Sequence, residues 1–356
     1  MPTKIEWADE TWNPVTGCTP ISRGCKHCYA ARMANRQRGR NGYAADDPFH
    51  VTFHADRLRQ PLQWREPRCV FVCSMGDLFH EDVSFEWVLQ IFAVMIATPW
   101  NRYLVLTKRP ARMQAFYDWW RVTATKEHYL CLQVGKALDA VEFISEAVLK
   151  RGNDYYLEHC DQSRRGRYDA PVPWPPPNVG LGVTVEHAEY RGRIDRLREI
   201  PAAMRFVSCE PLLGKLPSVL VARCPHCGLR DFRFSAELAP DGTHFGACAN
   251  CSVPRFGDEA PGHIDWIIAG GESGPGARAM DRDWARALRD QCQAAGVPFF
   301  FKQWGAWASL IEVAGPGRHH HFDNGNTVRR VGNKAAGRML DGRTWDERPE
   351  PFFSSK

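Results

Sequence analysis

The chain has no apolar run long enough to cross a membrane, which excludes a helical membrane protein. Its opening, Met-Pro-Thr-Lys-Ile-Glu-Trp-Ala-Asp-Glu, has no apolar stretch of the kind that directs secretion. Internal repeats are missing, so solenoids and propellers are excluded. A strong charge of one sign is missing as well. Lys and Arg number 46 against 41 Asp and Glu, a net charge of +5, and the pI of about 8.5 lies below that of a dedicated nucleic-acid domain. What is abundant is cysteine: 13 residues, which without a secretion signal point to the reducing cytoplasm. The 356 residues, 44% apolar, can bury a sizeable core as one large α/β domain with insertions, or as two domains.

Three cysteines carry the most information. In Thr-Gly-Cys18-Thr-Pro-Ile-Ser-Arg-Gly-Cys25-Lys-His-Cys28-Tyr they follow the spacing C-x6-C-x2-C. Three thiolates are one short of a closed tetrahedral site. They suit an iron–sulfur cubane with one iron left open, or a zinc ion completed by His27, His50 or His54. Gly17 and Gly24 precede two of them and let backbone fold closely around a metal group. A second set, Cys224, Cys227, Cys248 and Cys251, reads C-x2-C-x20-C-x2-C, a zinc-ribbon spacing. Four thiolates close the shell, so a zinc here would be structural; a second iron–sulfur cluster or an ancestral site without metal are the alternatives.

Short apolar runs predict buried parallel strands at 68–73, 102–107, 178–185, 204–209, 264–269 and 297–302, with a first strand near 10–15 that Pro14 weakens. Helices are predicted from Ser84 to Ala97, Pro110 to Trp120, Glu186 to Glu199 and Asp283 to Ala295, the last closed by Gly296. This alternation predicts an α/β fold built as a partial parallel β/α barrel with its site at the C-terminal strand ends. The barrel is read as 1–121, 178–222 and 262–310. A helical, proline-rich insertion occupies 122–177, a zinc-ribbon insertion 223–261, and a C-terminal extension 311–356. Arg318-His-His-His321 reads as an exposed loop.

Polar residues end successive strands: Ser74, Met75, Gly76 and Asp77; Lys108 and Arg109; Thr184 and Glu186; Cys209 and Glu210; Gly270, Gly271 and Glu272. Packing alone does not ask for them. Gly76 permits close backbone approach, and the 270–276 loop can offer N–H groups to an anion or nucleotide, or serve as a plain strand-to-helix turn. Cys209 reads equally as a buried filler or a functional thiol.

With Trp12 to Cys18, Gly24 to Ala30, Ser74 to Phe79, Leu106 to Pro110, Ser208 to Gly214, Ala269 to Arg278, Phe299 to Gly305 and Leu340 to Trp345, the chain resembles a phage and bacterial family of unknown function named for its three-cysteine motif. More loosely, it resembles the radical S-adenosylmethionine (SAM) proteins. It departs from their usual C-x3-C-x2-C spacing, and its Gly-Gly-Glu stands four strands later than theirs. The wider resemblance implies a [4Fe–4S] cluster on Cys18, Cys25 and Cys28 that chelates SAM and yields a 5′-deoxyadenosyl radical. On that implication Asp77 holds the SAM amine and Lys108 its carboxylate. Glu210 and Glu272 meet ribose or substrate, and Cys209 returns a hydrogen atom. A low-potential donor of flavodoxin or ferredoxin type supplies the electron. Arginine clusters at 32–40 and 164–167, with 13 tryptophans, point to DNA or RNA as partner, against a small metabolite or peptide. The rival reading is a zinc-bound nucleic-acid-binding or adaptor protein with no radical chemistry.

Overall fold

A computed structural model describes residue 3, residues 5–126, 151, 175–222, 262–350 and 352–353, and between 222 and 262 the residues 224, 226–227, 232–238, 244–248, 250–252 and 254–256. Most of the insertion expected over 122–177, with its basic loop and proline run, lies outside the described residues. Seven strands form one parallel sheet: β1 (Glu10–Trp12), β2 (Cys69–Val72), β3 (Arg102–Thr107), β4 (Val179–Thr184), β5 (Met204–Cys209), β6 (Trp266–Gly270) and β7 (Phe299–Gln303). Each pairs with its neighbour in chain order, so the sheet has no reversal point and curls as a half-barrel with helices around it.

Period-two alternation builds the two faces. Val70, Val72, Tyr103, Val105, Leu181, Val183, Val207, Ile267, Ala269, Phe299 and Phe301 point outward into a core shared with the helices. Cys69, Phe71, Leu104, Met204, Phe206, Trp266, Ile268 and Phe300 point inward to a second core, closed by Trp7, Phe352 and Phe353. Trp266 organises that interior. Its ring meets Trp7 at 6.5 Å, Phe206 at 6.2 Å, Phe300 at 5.9 Å and Phe353 at 5.2 Å. Each such pair contributes about 0.5–1.5 kcal/mol beyond area burial. Between these rings the inward positions of β4 are Gly180 and Gly182. A Cβ there would run into Met204 and Phe206, so the missing side chains on β4 make room for the large ones on β5.

The helices are α1 (Tyr29–Arg36), α2 (Phe85–Ala97), α3 (Pro110–Lys126), α4 (Gly192–Arg198) and α5 (Arg282–Ala294). Ser84 caps α2 as expected, its hydroxyl accepting from Trp87 N at 3.3 Å. Asp281 caps α5, its side chain accepting from Asp283 N, and Gly296 at φ +64° turns the chain out. Three expectations need correcting. The first strand stops at Trp12; Val15–Thr16 pairs instead with Thr52–Phe53, because Asn13 and Pro14 turn the chain. The helix expected from Glu186 starts only at Gly192, because Glu186 keeps an unwound backbone and turns its carboxylate inward. His319–His321 is an exposed strand, not a loop, in a small antiparallel sheet with Thr327–Arg330 and Trp307–Ser309.

The four later cysteines flank an antiparallel pair, Phe232–Leu238 with His244–Cys248. Among the described residues, no helix is long and apolar enough to cross a membrane.

Gly182→Ala should lower stability by about 1–3 kcal/mol through overpacking against Phe206, read by urea denaturation. Adding Phe206→Leu should restore part of the loss; a loss that the second change leaves untouched would place its cause elsewhere.

Candidate active site

The loop that carries the cysteines is fixed at both ends by its neighbours' backbone. After β1, Asn13 Oδ1 accepts from Met75 N at 2.8 Å and Ser74 Oγ at 3.1 Å. Gly17 donates to the Met75 carbonyl at 2.9 Å and forms an isolated parallel bridge with Gly76, beyond the end of the β1–β2 pairing. A side chain on Gly76 would stand 2.9 Å from the Gly17 carbonyl, and one on Gly17 would strike the His50 carbonyl, so glycine at 76 lets Cys18 approach the end of β2 and glycine at 17 lets the 49–50 backbone approach behind it. Beyond it, Ser22 and Gly24 N both donate to Glu186 Oε1, the latter at 3.2 Å. A Cβ on Gly24 would lie 2.7 Å from that oxygen. Cys28 then sits at the N-cap of α1.

Two cations from the end of β3 reach the sulfurs. Lys108 Nζ donates to Cys25 Sγ at 3.6 Å and Ser22 Oγ at 3.3 Å, and pairs with Glu186 at 3.4 Å. Arg109 Nη1 donates to Cys18 Sγ at 3.3 Å and to Asp77 Oδ2 at 3.2 Å, while its Nε meets Glu81 at 2.9 Å and its Nη2 the Thr19 carbonyl at 3.1 Å. The two thiols respond differently. Burial, with the Asp77 charge added, pushes Cys18 up to about 11 against the opposing pull of Arg109. Burial acts on Cys25 too, but Lys108 and the Ser22 hydroxyl outweigh it and hold that thiol below its ordinary value.

A cavity of about 400 Å³ opens at these strand ends. Cys18, Cys25 and Cys28 line it together with the predicted Ser74, Gly76, Asp77, Lys108, Thr184, Glu210, Gly271 and Glu272. Its floor is apolar: Ile5, Trp7, Phe71 and Leu106. Four predicted residues do not line it. Met75 serves through its backbone, Glu186 lies behind the cysteine loop, and Gly270 leaves space for Glu210 Oε1. Cys209 faces the helices, wholly buried in the outer core beside Cys292, and burial pushes its thiol far up. A hydrogen-atom return from Cys209 therefore has no path in this geometry.

Two carboxylates read as ligands are already engaged. Asp77 accepts from Thr107 Oγ1 at 2.6 Å, Phe79 N at 3.0 Å, and Lys108 N and Arg109. It positions the Arg109 guanidinium and the Lys108 backbone, and has no oxygen left for a ligand amine. Glu272 is gripped by Arg278 at 2.6 and 2.8 Å, and Arg278 also donates to the Arg23 carbonyl at 2.9 Å, tying the 270–276 loop to the cysteine loop. The glycines of that loop answer to the chain itself. A side chain at Gly271 would strike the Trp304 backbone and one at Gly276 would strike His27. Glu210 faces the cavity with Lys302 at 3.2 Å. Lys302 was missed among the site residues, although the inward period that places Phe300 on β7 also places it. Ser208, Gln303, His27 and Arg32 line the cavity as well.

The four later cysteines gather differently. Their sulfurs all lie within 4.8 Å of one another, with Cys224 to Cys251 at 3.7 Å and Cys227 to Cys248 at 3.6 Å, and they can hold a metal ion. N–H groups of Cys227 and His226 hold the Cys224 thiol down to about 7. Among the described residues Cys18, Cys25 and Cys28 form no such tight group. A single ion with bonds of about 2.3 Å draws its thiolates to about 3.8 Å; a cubane seats each thiolate on a separate iron and holds them farther apart.

Residues 2–349 match the family described as protein of unknown function (DUF5131). The chain belongs to this family. Kinship with a family of unknown function, expected from the motifs, is thereby met, and the description attaches no activity to it. No curated protein and no solved structure matches the chain.

Glu186 sets a pH dependence. Burial alone would raise its carboxyl, but Lys108, the Ser22 hydroxyl and Arg193 hold it below the usual carboxylate range. A depressed folded value contributes stability that is present above the unfolded value of about 4.3 and lost as pH falls through the folded one. Glu186→Gln should cost about 2–3 kcal/mol at pH 7, since it strands Lys108 and Arg193. The gap to the native protein should shrink below about pH 4. A gap of constant size in denaturation from pH 7 to 3 would refute the charge role.

Proposed function

We propose that this protein is a radical SAM enzyme. The observation that carries the reading is three thiols lining one wall of a cavity at the C-terminal ends of a sequentially ordered parallel half-barrel, each cavity-facing and two of them touched by cations. Cys18, Cys25 and Cys28 would hold a [4Fe–4S] cluster; Ser74, Gly76, Thr184 and Glu210 would hold SAM. When bound, the pair supplies one-electron chemistry: an electron from a low-potential flavodoxin- or ferredoxin-type donor breaks a sulfonium C–S bond, releasing methionine, and the adenosyl fragment leaves as 5′-deoxyadenosine with a hydrogen atom from substrate.

The chain's own residues prepare the site for this. Lys108 favours the ionised Cys25 thiolate, and Arg109 opposes the burial and the Asp77 charge that raise Cys18. Glu186 aims the Lys108 ammonium and Asp77 the Arg109 guanidinium. Trp7, Phe71 and Leu106 keep the floor dry. Lys302 balances Glu210, so a carboxylate can face the cavity without an unpaired charge. For Cys224, Cys227, Cys248 and Cys251 we infer zinc, because the 3.6–3.7 Å sulfur separations match a tetrahedron of Zn–S bonds.

Protein reconstituted anaerobically with iron and sulfide should be brown, carry about four irons and release 5′-deoxyadenosine when given SAM and a strong reductant. Cys25→Ala should lose iron and release together. Colourless protein with zinc at both cysteine sets would overturn the reading in favour of a nucleic-acid-binding or adaptor protein; so would a fully loaded preparation that releases no 5′-deoxyadenosine.

Metal analysis of the native chain should find about one zinc, absent from Cys227→Ser. Iron content should be the same in both proteins. Loss of iron but not zinc in Cys227→Ser would reverse the assignment.

A further inference from the structure

The carboxylates that line the cavity are each matched: Asp77 by Arg109, Glu210 by Lys302, Glu272 by Arg278. One cation is not. Arg32, on α1 one turn beyond Cys28, lines the cavity, and its guanidinium has no hydrogen bond or ion pair among the described residues. Gly274 at φ +101° gives it room; a Cβ there would stand 2.7 Å from Arg32 Nη1. A planar guanidinium left unpaired at the wall of a cavity is an anion receptor.

Its surroundings select the anion. From residue 11 to residue 45 the sequence contains no Asp or Glu, while Arg23, Lys26, Arg32, Arg36, Arg38 and Arg40 lie within it. All but Arg32 are exposed. Arg38 and Arg40 donate to the uncharged oxygens of Ala45, Asp46, Asn35 and Arg36, so their charge is held in place without being cancelled. Arg23 is the exception, paired with Glu189 at 2.9 Å. Among these bases Ile21, Tyr29 and Met33 are 42%, 48% and 39% exposed, large apolar groups facing water on the same loop and helix. A carboxylate would satisfy Arg32 alone. Repeated cations interleaved with apolar and aromatic surface suit phosphates joined to flat, stacking groups.

We propose that the substrate of this cavity is a nucleoside phosphate, either free or as one unit of a single strand, with Arg32 on its phosphate and the bases of α1 and the turn after it tracking any neighbouring phosphates. This rests on the reading of the cavity as an active site, and it names the substrate class. The base enters towards Trp7 and Phe71, whose rings lie 4.7 Å apart at the floor.

Binding tests this apart from turnover. Labelled short single strands of DNA and of RNA, and a nucleoside monophosphate, are titrated against the whole protein at several salt concentrations. Strand affinity should fall steeply with salt. Arg32→Gln should weaken every phosphate probe about tenfold, with Arg32→Lys recovering part. Arg36→Gln with Arg40→Gln should weaken strands and flatten their salt slope if a strand is the substrate, and change nothing if the free nucleotide is. Because the Arg32 guanidinium has no partner in the fold, its variant should melt with the native protein. No binding of any probe at low salt would overturn the proposal, as would Arg32→Gln binding like the native protein, or selective binding of an acidic protein on this face. Iron content and 5′-deoxyadenosine release measured on the same native protein separate the two readings: phosphate binding by reconstituted protein that carries no cluster leaves this inference standing while the radical reading falls, and a working cluster without phosphate binding does the reverse.

Discussion

The cysteine loop is held by charge rather than by apolar packing. Lys108 and Arg109, adjacent at the end of β3, each bind one sulfur and one buried carboxylate, Glu186 behind Cys25 and Asp77 behind Cys18. Neither pair stands alone in a dry interior, since further donors fill the remaining oxygens: Gly24 N, Ser22 and Arg193 on Glu186, Thr107 and Phe79 N on Asp77. That complete satisfaction keeps a buried ion pair from being a liability. It also couples the loop to three strands at once, through Lys108 and Arg109 after β3, Asp77 after β2 and Glu186 after β4.

The same economy of contact governs the backbone. At the mouth, Gly17 against Gly76 and Gly271 against Trp304 bring strand ends closer than any side chain would allow. Inside, Gly180 and Gly182 do the reverse, yielding space to Met204 and Phe206. Upper cavity and lower aromatic core thus share one curled sheet. The alternation that fills the bottom with rings puts Ser208, Lys302 and Thr184 at the top.

Much of this was readable in the residues. The six later strands were legible because each is a short apolar run ending in polar groups, and their parallel sense followed from the helix between most pairs. The cysteine trio and its neighbours at 74–77, 108, 184, 210 and 271–272 were legible as a site because strand ends of such a fold converge. What sequence could not show was which polar groups face each other. Asp77 and Glu272 read as ligands, yet their oxygens serve Arg109 and Arg278. Cys209 read as a possible donor of hydrogen, yet one step of strand period turns it to the other face. α1 was not predicted: its eight residues sit directly after the last cysteine, with an exposed polar face and few apolar positions to mark a period.

An open parallel sheet leaves unpaired hydrogen-bonding groups along its last strand. Here the chain itself occupies them. Phe301 N donates to the Trp345 carbonyl at 2.9 Å, and Phe300 bridges Asp346 in antiparallel sense. Trp345 is buried beside Phe299, at 6.0 Å between rings, which anchors this cover. The segment around 345 therefore acts as a guard against edge-to-edge association with a second copy, and its tryptophan is the weight that keeps the guard shut.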